Sequence, residues 1–241
     1  MPRTVLRFER IDSTMTAAAE LARADLNQEG CPHGTTVVAD EQTAGIGRHG
    51  HSWHSPPGGL YVSIVLRLPR PLPVIMLALG LAAREAISGA GLRPAGRSET
   101  CPTLDLRWPN DVLLNGRKCA GVIAQREGDA VIAGIGINVN QTAFPEGIDA
   151  TSLLLAGAMT TREAVLEVLL EAVDRYCSED PAEIRRMFEA ASSYARGRRV
   201  RAEQDGIEGV TQGLDPSGFL IVRQDNGQDA TILAGGVRPC S

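Results

Sequence analysis

The chain has 241 residues, 43% of them hydrophobic and 22% charged, with a net charge of −5. Such a length accommodates one substantial core and a small second unit, and the composition is that of a folded protein rather than a disordered one. The negative balance excludes a broad nucleic-acid or membrane face, which would need basic character.

The N-terminal MPRTVLRFERID is charged throughout and lacks the apolar run of a signal peptide. Residues 5–8 read as a strand, after which Asp12, Ser13 and Thr14 offer N-cap side chains to TAAAELARADL, a helix-favouring run. TTVVADEQT is a strand entering a loop, the glycine-rich AGIGRHGHSWHSPPGG follows, and LYVSIVLRL has the apolar content of a strand buried on both faces. Residues 74–90 form an apolar helix too short to span a bilayer, and GLRPAGRSETCPTLD is turn-rich enough to be an exposed loop. LDLRW, DVLLNGRKCAGVIAQREGD and AVIAGIGINVNQ are three strand-like runs broken by polar turns, a sheet meander. EAVLEVLLEAVDRYC and AEIRRMFEAAS are helices, the second opened by Asp180-Pro181, and pack on one side of the sheet. From Tyr194 short alternating segments separated by glycine turns predict a small β-barrel. The fold class is therefore α+β, a mixed sheet with flanking helices over residues 1–192 and a barrel over 193–241. Five scattered cysteines, Cys31, Cys101, Cys119, Cys177 and Cys240, with no CxxC pair, predict a reduced, cytoplasmic protein without structural zinc.

Gly45, Gly47 and Gly50 spell a GxGxxG string. A dinucleotide fold needs that loop to open a helix, whereas here HSWHSPPGGL follows; a P-loop is excluded because no Gly-Lys-Ser/Thr closes it. Two readings remain. The glycines simply turn a surface loop, or they admit an anion that Arg48 grips with its planar fork, with His49 and His51 alongside and Trp53 offering a face to a purine. A second group is Arg107-Trp108-Pro109-Asn110-Asp111, a turn presenting two polar side chains, followed after one strand by Arg117-Lys118-Cys119-Ala120-Gly121. Lys118 beside an apolar strand either snorkels from a hairpin or has its charge paired or used. Asn138 and Asn140 interrupt an apolar strand, where buried amides need partners, and a ligand could be one.

Together, Asp12-Ser13-Thr14, Glu41-Gln42-Thr43-Ala44-Gly45 through Trp53-His54-Ser55-Pro56, Gly59-Leu60-Tyr61, the Trp108 to Asp111 turn, the Arg117 to Gly121 run and Gly136-Ile137-Asn138-Val139-Asn140 resemble the biotin protein ligase family in order and spacing. The tail from Tyr194 resembles that family's SH3-like C-terminal domain. The resemblance implies a seven-stranded mixed sheet of the class II synthetase and lipoate-ligase type. It implies an enzyme that activates biotin with ATP to biotinyl-5'-AMP and transfers it to a lysine of a biotin carrier domain, that of acetyl-CoA carboxylase or a related carboxylase. By the same match Ser13, Thr14, Gln42, Gly45, Gly47 and Gly121 belong to the biotin pocket, and Arg48 and Lys118 bind the biotin carboxylate and the α-phosphate. His51, Trp53, Asn110 and Asn138 serve ATP, Trp53 by packing on adenine. Lys118, Arg48 and Asp111 are the catalytic set, with Asp111 orienting or deprotonating the incoming amine. ATP and Mg2+ are the implied cofactors, with no metal ligand assigned; neither nucleic acid nor membrane is an implied partner, and monomer and homodimer stay open.

Three positions depart from the family's pattern. Ile46 and His51 stand where arginines are usual, and Met15 where asparagine is common after Ser-Thr. Isoleucine cannot contact an anion and an unperturbed histidine titrates near 6.5, so activity is expected to survive with poorer retention of the adenylate. Competing readings are a lipoate ligase or octanoyl transferase, a biotin-binding protein that does not adenylate, and a biotin-sensing repressor. The last is disfavoured because the catalytic match begins at Phe8 and leaves no room before it for a helix-turn-helix.

Overall fold

The computed structural model describes residues 3–24, 31–92 and 102–240, the His49 side chain excepted. Seven strands, β1 (Val5–Ile11), β2 (Thr36–Gln42), β3 (Leu60–Leu66), β4 (Leu104–Arg107), β5 (Asp111–Leu114), β6 (Arg117–Glu127) and β7 (Ala130–Ile137), form one mixed sheet in the order β1-β2-β3-β7-β6-β5-β4. Only β1 and β2 run parallel; every other neighbour is antiparallel. The inner strand β3 is buried at all seven positions, as its unbroken apolar run predicts. The single run DVLLNGRKC divides into β5 and the start of β6 because Asn115 and Gly116 take φ of 52° and 78°, the two left-handed residues of a tight hairpin turn.

Side chains alternate across a strand, so the two faces of the sheet bury different helices. Ile64 and Leu66 of β3, with Val131 and Ala133 of β7, face the larger core, which contains the apolar side of α2 (Leu72–Ser88) and, behind it, α3 (Arg162–Ser178) and α4 (Pro181–Ala190). Thr161 caps α3 by accepting from Ala164 N at 3.1 Å, and Asp180 caps α4 with Pro181 at its first position. Helix α1 (Thr14–Ala24) packs on the opposite face, where Met15, Ala18 and Ala22 meet Val37, Val65 and Ile132. Helices α3 and α4 thus lie on one side of the sheet as expected, together with α2, and α1 lies on the other. The far end of the first helical run and most of the loop after α2 lie outside the described residues.

Strands β8 (Arg196–Ala202), β9 (Glu208–Leu214), β10 (Leu220–Arg223), β11 (Asp229–Ile232) and β12 (Val237–Pro239) make an antiparallel sheet ordered β11-β10-β9-β8-β12. Its outer strands do not pair with each other, so the expected barrel is SH3-like in its strands but not closed by hydrogen bonds. Strand β12 is three residues long and has no alternation to betray it in the sequence. The second sheet is tied to the first by Trp108 Nε1, which donates to the Gly218 carbonyl at 3.1 Å, and the segment leading into β8 is held on β4 by Ser192 Oγ, which donates to the Leu106 carbonyl at 2.5 Å. Cys31, Cys119, Cys177 and Cys240 are free thiols, and burial pushes Cys119 up to about 12. Among the described residues no helix is long and apolar enough to cross a membrane.

Candidate active site

A cavity of about 560 Å³ opens on the α1 face of the large sheet. Its floor is made by what β6 and β7 lack. Gly121 and Gly136 are register partners and Gly134 shares their face two residues along β7. A Cβ at Gly136 would stand 2.6 Å from Trp53 Cε2, one at Gly121 2.8 Å from Trp53 Cζ3, and one at Gly134 2.6 Å from Met15 Sδ. These glycines are there for close approach: the indole and the thioether lie directly on bare strand backbone.

At one end the side chains are small and polar. Gln42 Oε1 accepts from Thr14 N at 2.8 Å and from Thr14 Oγ1 at 3.0 Å, while its Nε2 donates to Ser55 Oγ at 2.9 Å. Ser63 Oγ, itself fully buried on β3, donates to Thr14 Oγ1 at 2.8 Å. Ser13 stands behind this group and not in the wall: it is buried, and its Oγ accepts from Met15 N at 3.2 Å, pinning the start of α1. Gly45 is likewise structural in position, since a Cβ there would come within 2.5 Å of Ser55 Oγ and Trp53 O.

The other end is charged. Strand alternation alone would put Cys119 and not Lys118 on the same face as Gly121. Between Val112 and Leu113 of β5 the register with β6 shifts by one, Leu113 pairing with Lys118, so Cys119 and Ala120 both enter the core and Lys118 turns to the cavity. Its Nζ lies 2.6 Å from Asp111 Oδ1 and 5.0 Å from the centre of the Trp53 ring. Asp111 Oδ2 is held by Arg107 Nη2 at 2.5 Å. Burial pushes the Asp111 carboxyl up, but the Lys118 and Arg107 charges outweigh it and leave it below the usual carboxylate range. Arg48, in a single 3-10 turn at Arg48–Gly50, donates to Asn110 Oδ1 at 3.1 Å and to the Gly235 carbonyl at 2.9 Å. Burial lowers its pKa against the raising influence of Asp111 and Glu203. This turn is no helix, which is the structural ground for setting aside a dinucleotide loop.

The sequence-predicted residues Thr14, Gln42, Gly47, Arg48, His51, Trp53, Asn110, Asp111, Lys118 and Gly121 all line this cavity, as does Ile46. Asn138 does not. Its amide donates to the carbonyls of Thr151 at 3.0 Å and Lys118 at 3.4 Å and its Oδ1 accepts from Gln141 Nε2 at 3.3 Å, so its partners are protein groups. Asn140 is exposed. Residue reading missed Arg107, Tyr61 and Ser63 as lining residues, and also Glu203 and Arg238 from the second sheet. A serine in the middle of LYVSIVL was a signal for Ser63, because a polar group on a fully buried strand needs partners. Among the described residues no group of three or more His, Cys, Asp or Glu could hold a metal ion.

Three cations around one carboxylate, set at the head of a bare-backbone floor, define a site for acidic substrates drawn together. The profile of the Biotin/lipoate A/B protein ligase family matches residues 7–141, and that of the Biotin protein ligase C terminal domain matches residues 197–237. The chain belongs to the biotin/lipoate A/B protein ligase family. It is 35% identical over 236 residues to the bifunctional ligase/repressor BirA of Bacillus spizizenii, covering 90% of this chain and 68% of that one. It is 31% identical to the biotin--[acetyl-CoA-carboxylase] ligase of Paracoccus denitrificans, covering 94% of this chain and 99% of the relative. The biotin protein ligase from Aquifex aeolicus, solved in complex with biotin and ATP, superposes with a TM-score of 0.81 at 31% identity, covering 98% of this chain and 99% of that one.

Proposed function

We propose that this protein is a biotin protein ligase: it joins biotin to AMP at the expense of ATP and passes the biotinyl group to a lysine of a carboxylase's biotin carrier domain. The observation that carries the reading is the cluster of Arg48, Lys118 and Arg107 around Asp111 beside the Gly121 and Gly136 floor, in a chain of this family.

In the first step a carboxylate oxygen of biotin attacks the α-phosphorus of ATP; the new O–P bond forms as the bond to the bridging oxygen breaks and pyrophosphate leaves. Two anions must meet, so the residues have to neutralise charge that spreads in the transition state. Arg48 and Lys118 do this, with Asn110 fixing the Arg48 fork. Thr14 and Gln42 hold the polar edge of the biotin rings, Ser13 and Gly45 act behind them, and Gly47 lets the loop close. Trp53 gives a flat wall toward the adenine and His51 stands beside the phosphates. Asn138 holds the Lys118 carbonyl, positioning the lysine from behind.

In the second step the carrier amine attacks the acyl carbon, the C–N bond forms, the C–O bond to AMP breaks, and the amine loses a proton. A free lysine titrates near 10.4. Asp111, held below the usual range, is too weak a base to keep that proton, so its role is to orient the amine while solvent or the departing phosphate takes it. Of the two carboxylates lining the cavity, Asp111 is engaged by Arg107 and Lys118 and Glu203 is paired with Arg238, so they make no metal cage. Magnesium belongs with the phosphates of ATP as part of the substrate. Residues 1–192 form the catalytic unit and 193–241 close its charged end through Gly235, Glu203 and Arg238. The cellular site is the cytoplasm.

The test is exchange of labelled pyrophosphate into ATP, measured with biotin and, separately, with lipoate. Biotin-dependent exchange is the expected result. Exchange with lipoate alone would transfer the chain to the other branch of its family, and none with either would leave a binding protein.

A further inference from the structure

Arg107 belongs to the charged cluster but takes no part in either reaction step, yet it grips Asp111 as closely as Lys118 does. Its Nη2 lies 2.5 Å from Asp111 Oδ2, and both side chains are only 12% exposed. Strand pairing places the two residues opposite each other, across the turn that carries Pro109 and Asn110. Lys118 is the looser partner, 28% exposed, at a register shift, and on a flexible four-carbon stem.

A nucleotide's phosphate oxygens and a substrate carboxylate compete with Asp111 for the Lys118 ammonium. If Lys118 were the sole counter-charge, its departure would leave a buried carboxylate without a partner, a state relieved by protonating Asp111. The other charges facing Asp111 belong to Arg48, from the glycine loop, and beyond it Glu203, which is itself paired with Arg238 at 2.5 Å.

We infer that Arg107 is a positioning residue: it stays on Asp111 and keeps that carboxylate ionised and fixed while Lys118 turns from Asp111 to the reacting anions. This rests on the adenylating reading above. Arg107 thereby separates two duties that one lysine could not perform together. Lys118 is released to the substrate, and Asp111 remains an oriented anion for the transfer step.

The experiment is the pH dependence, from 4 to 9, of biotin transfer to a carrier domain, with biotin-dependent exchange measured alongside, by the full-length protein and its Arg107→Met and Arg107→Lys variants. Substrate ionisations are common to all three and cancel in the comparison. Arg107→Met is expected to lower kcat at pH 7 tenfold or more, to change the KM for ATP less than threefold, and to move the acid limb up by at least one pH unit. Arg107→Lys should bring the limb back to within half a unit. An unmoved limb in Arg107→Met, a limb still displaced in Arg107→Lys, or a loss confined to KM would each overturn the inference. The last would make Arg107 a direct phosphate ligand. Should Arg107→Met fail to fold, Arg107→Gln, of similar reach but uncharged, takes its place. Exchange with lipoate alone would overturn the substrate reading and the same comparison would run on lipoate; no exchange with either acid would overturn both.

Discussion

Ile46 lines the cavity with 40% of its surface exposed and forms an antiparallel bridge with Ser52, so its side chain is presented where a longer cationic one could reach an anion. Hydrogen bonds to charged groups contribute about 1.5–3 kcal/mol each. Ile46→Arg is therefore expected to slow release of the biotinyl adenylate by about tenfold or more, read from its dissociation rate; an unchanged rate would mean that residue 46 does not face the intermediate. Asp111 gives a second prediction. Its folded pKa is depressed, so its contribution to stability is complete above the ordinary aspartate value near 3.9 and is lost as pH falls through the lower folded value. The stability gap between the unaltered protein and Asp111→Asn should be constant above about pH 5 and close below about pH 4. A gap that persists to pH 2 would show that the Lys118 and Arg107 contacts do not stabilise the carboxylate. At this scale Arg48 and Lys118 stand out by residue type, a charge in a glycine turn and a charge beside an apolar strand, while the role of Asp111 came from the family resemblance. Arg107 stands in the same motif as Asp111, but their pairing crosses a hairpin whose register no local pattern states.

Among the elements, β6 shows where periodicity stops informing. Read as strict alternation, RKCAGVIA would put Lys118 into the core with Ala120 and Val122; the register shift rescues it, and nothing in the residue types announces that shift. The hairpin just before it was legible from Asn115-Gly116, since both turn positions need left-handed backbone. Strand β7 is more than scaffold. Beyond its end, Asn138 binds the carbonyls of Lys118 and Thr151 and receives Gln141 Nε2, which also donates to Tyr61 Oη at 3.2 Å. Asn138→Ala would leave buried groups without partners, at about 1–3 kcal/mol. For a chain of this size that is a fall in Tm of about 2–12 °C. A calorimetric scan checks it, and the exchange rate should fall with it because the lysine's backbone loses its brace. An unchanged Tm would show that the amide makes no net contribution.

On the scale of the whole molecule, the site is shared between the two sheets. Arg48 reaches the Gly235 carbonyl, and Glu203 and Arg238 stand at the cavity mouth, so the smaller sheet contributes to the charged end. The tail's alternating segments predicted four of this sheet's five strands, β8 to β11, but which loop meets the glycine turn depends on how the sheets pack, through Trp108 and Gly218, and no sequence period records that. The placing of α1 opposite α2 was hidden for the same reason: each helix is apolar enough to bury, and only strand parity decides the face.

Transfer of biotin is read from the intact mass of a purified biotin carrier domain after incubation with this protein, biotin, ATP and magnesium. We expect a gain of one biotinyl group that requires ATP and falls at least a hundredfold in rate with Lys118→Ala. A carrier whose mass is unchanged by the unaltered protein would mean that it does not ligate biotin, and a gain undiminished in Lys118→Ala would mean that ligation does not depend on Lys118.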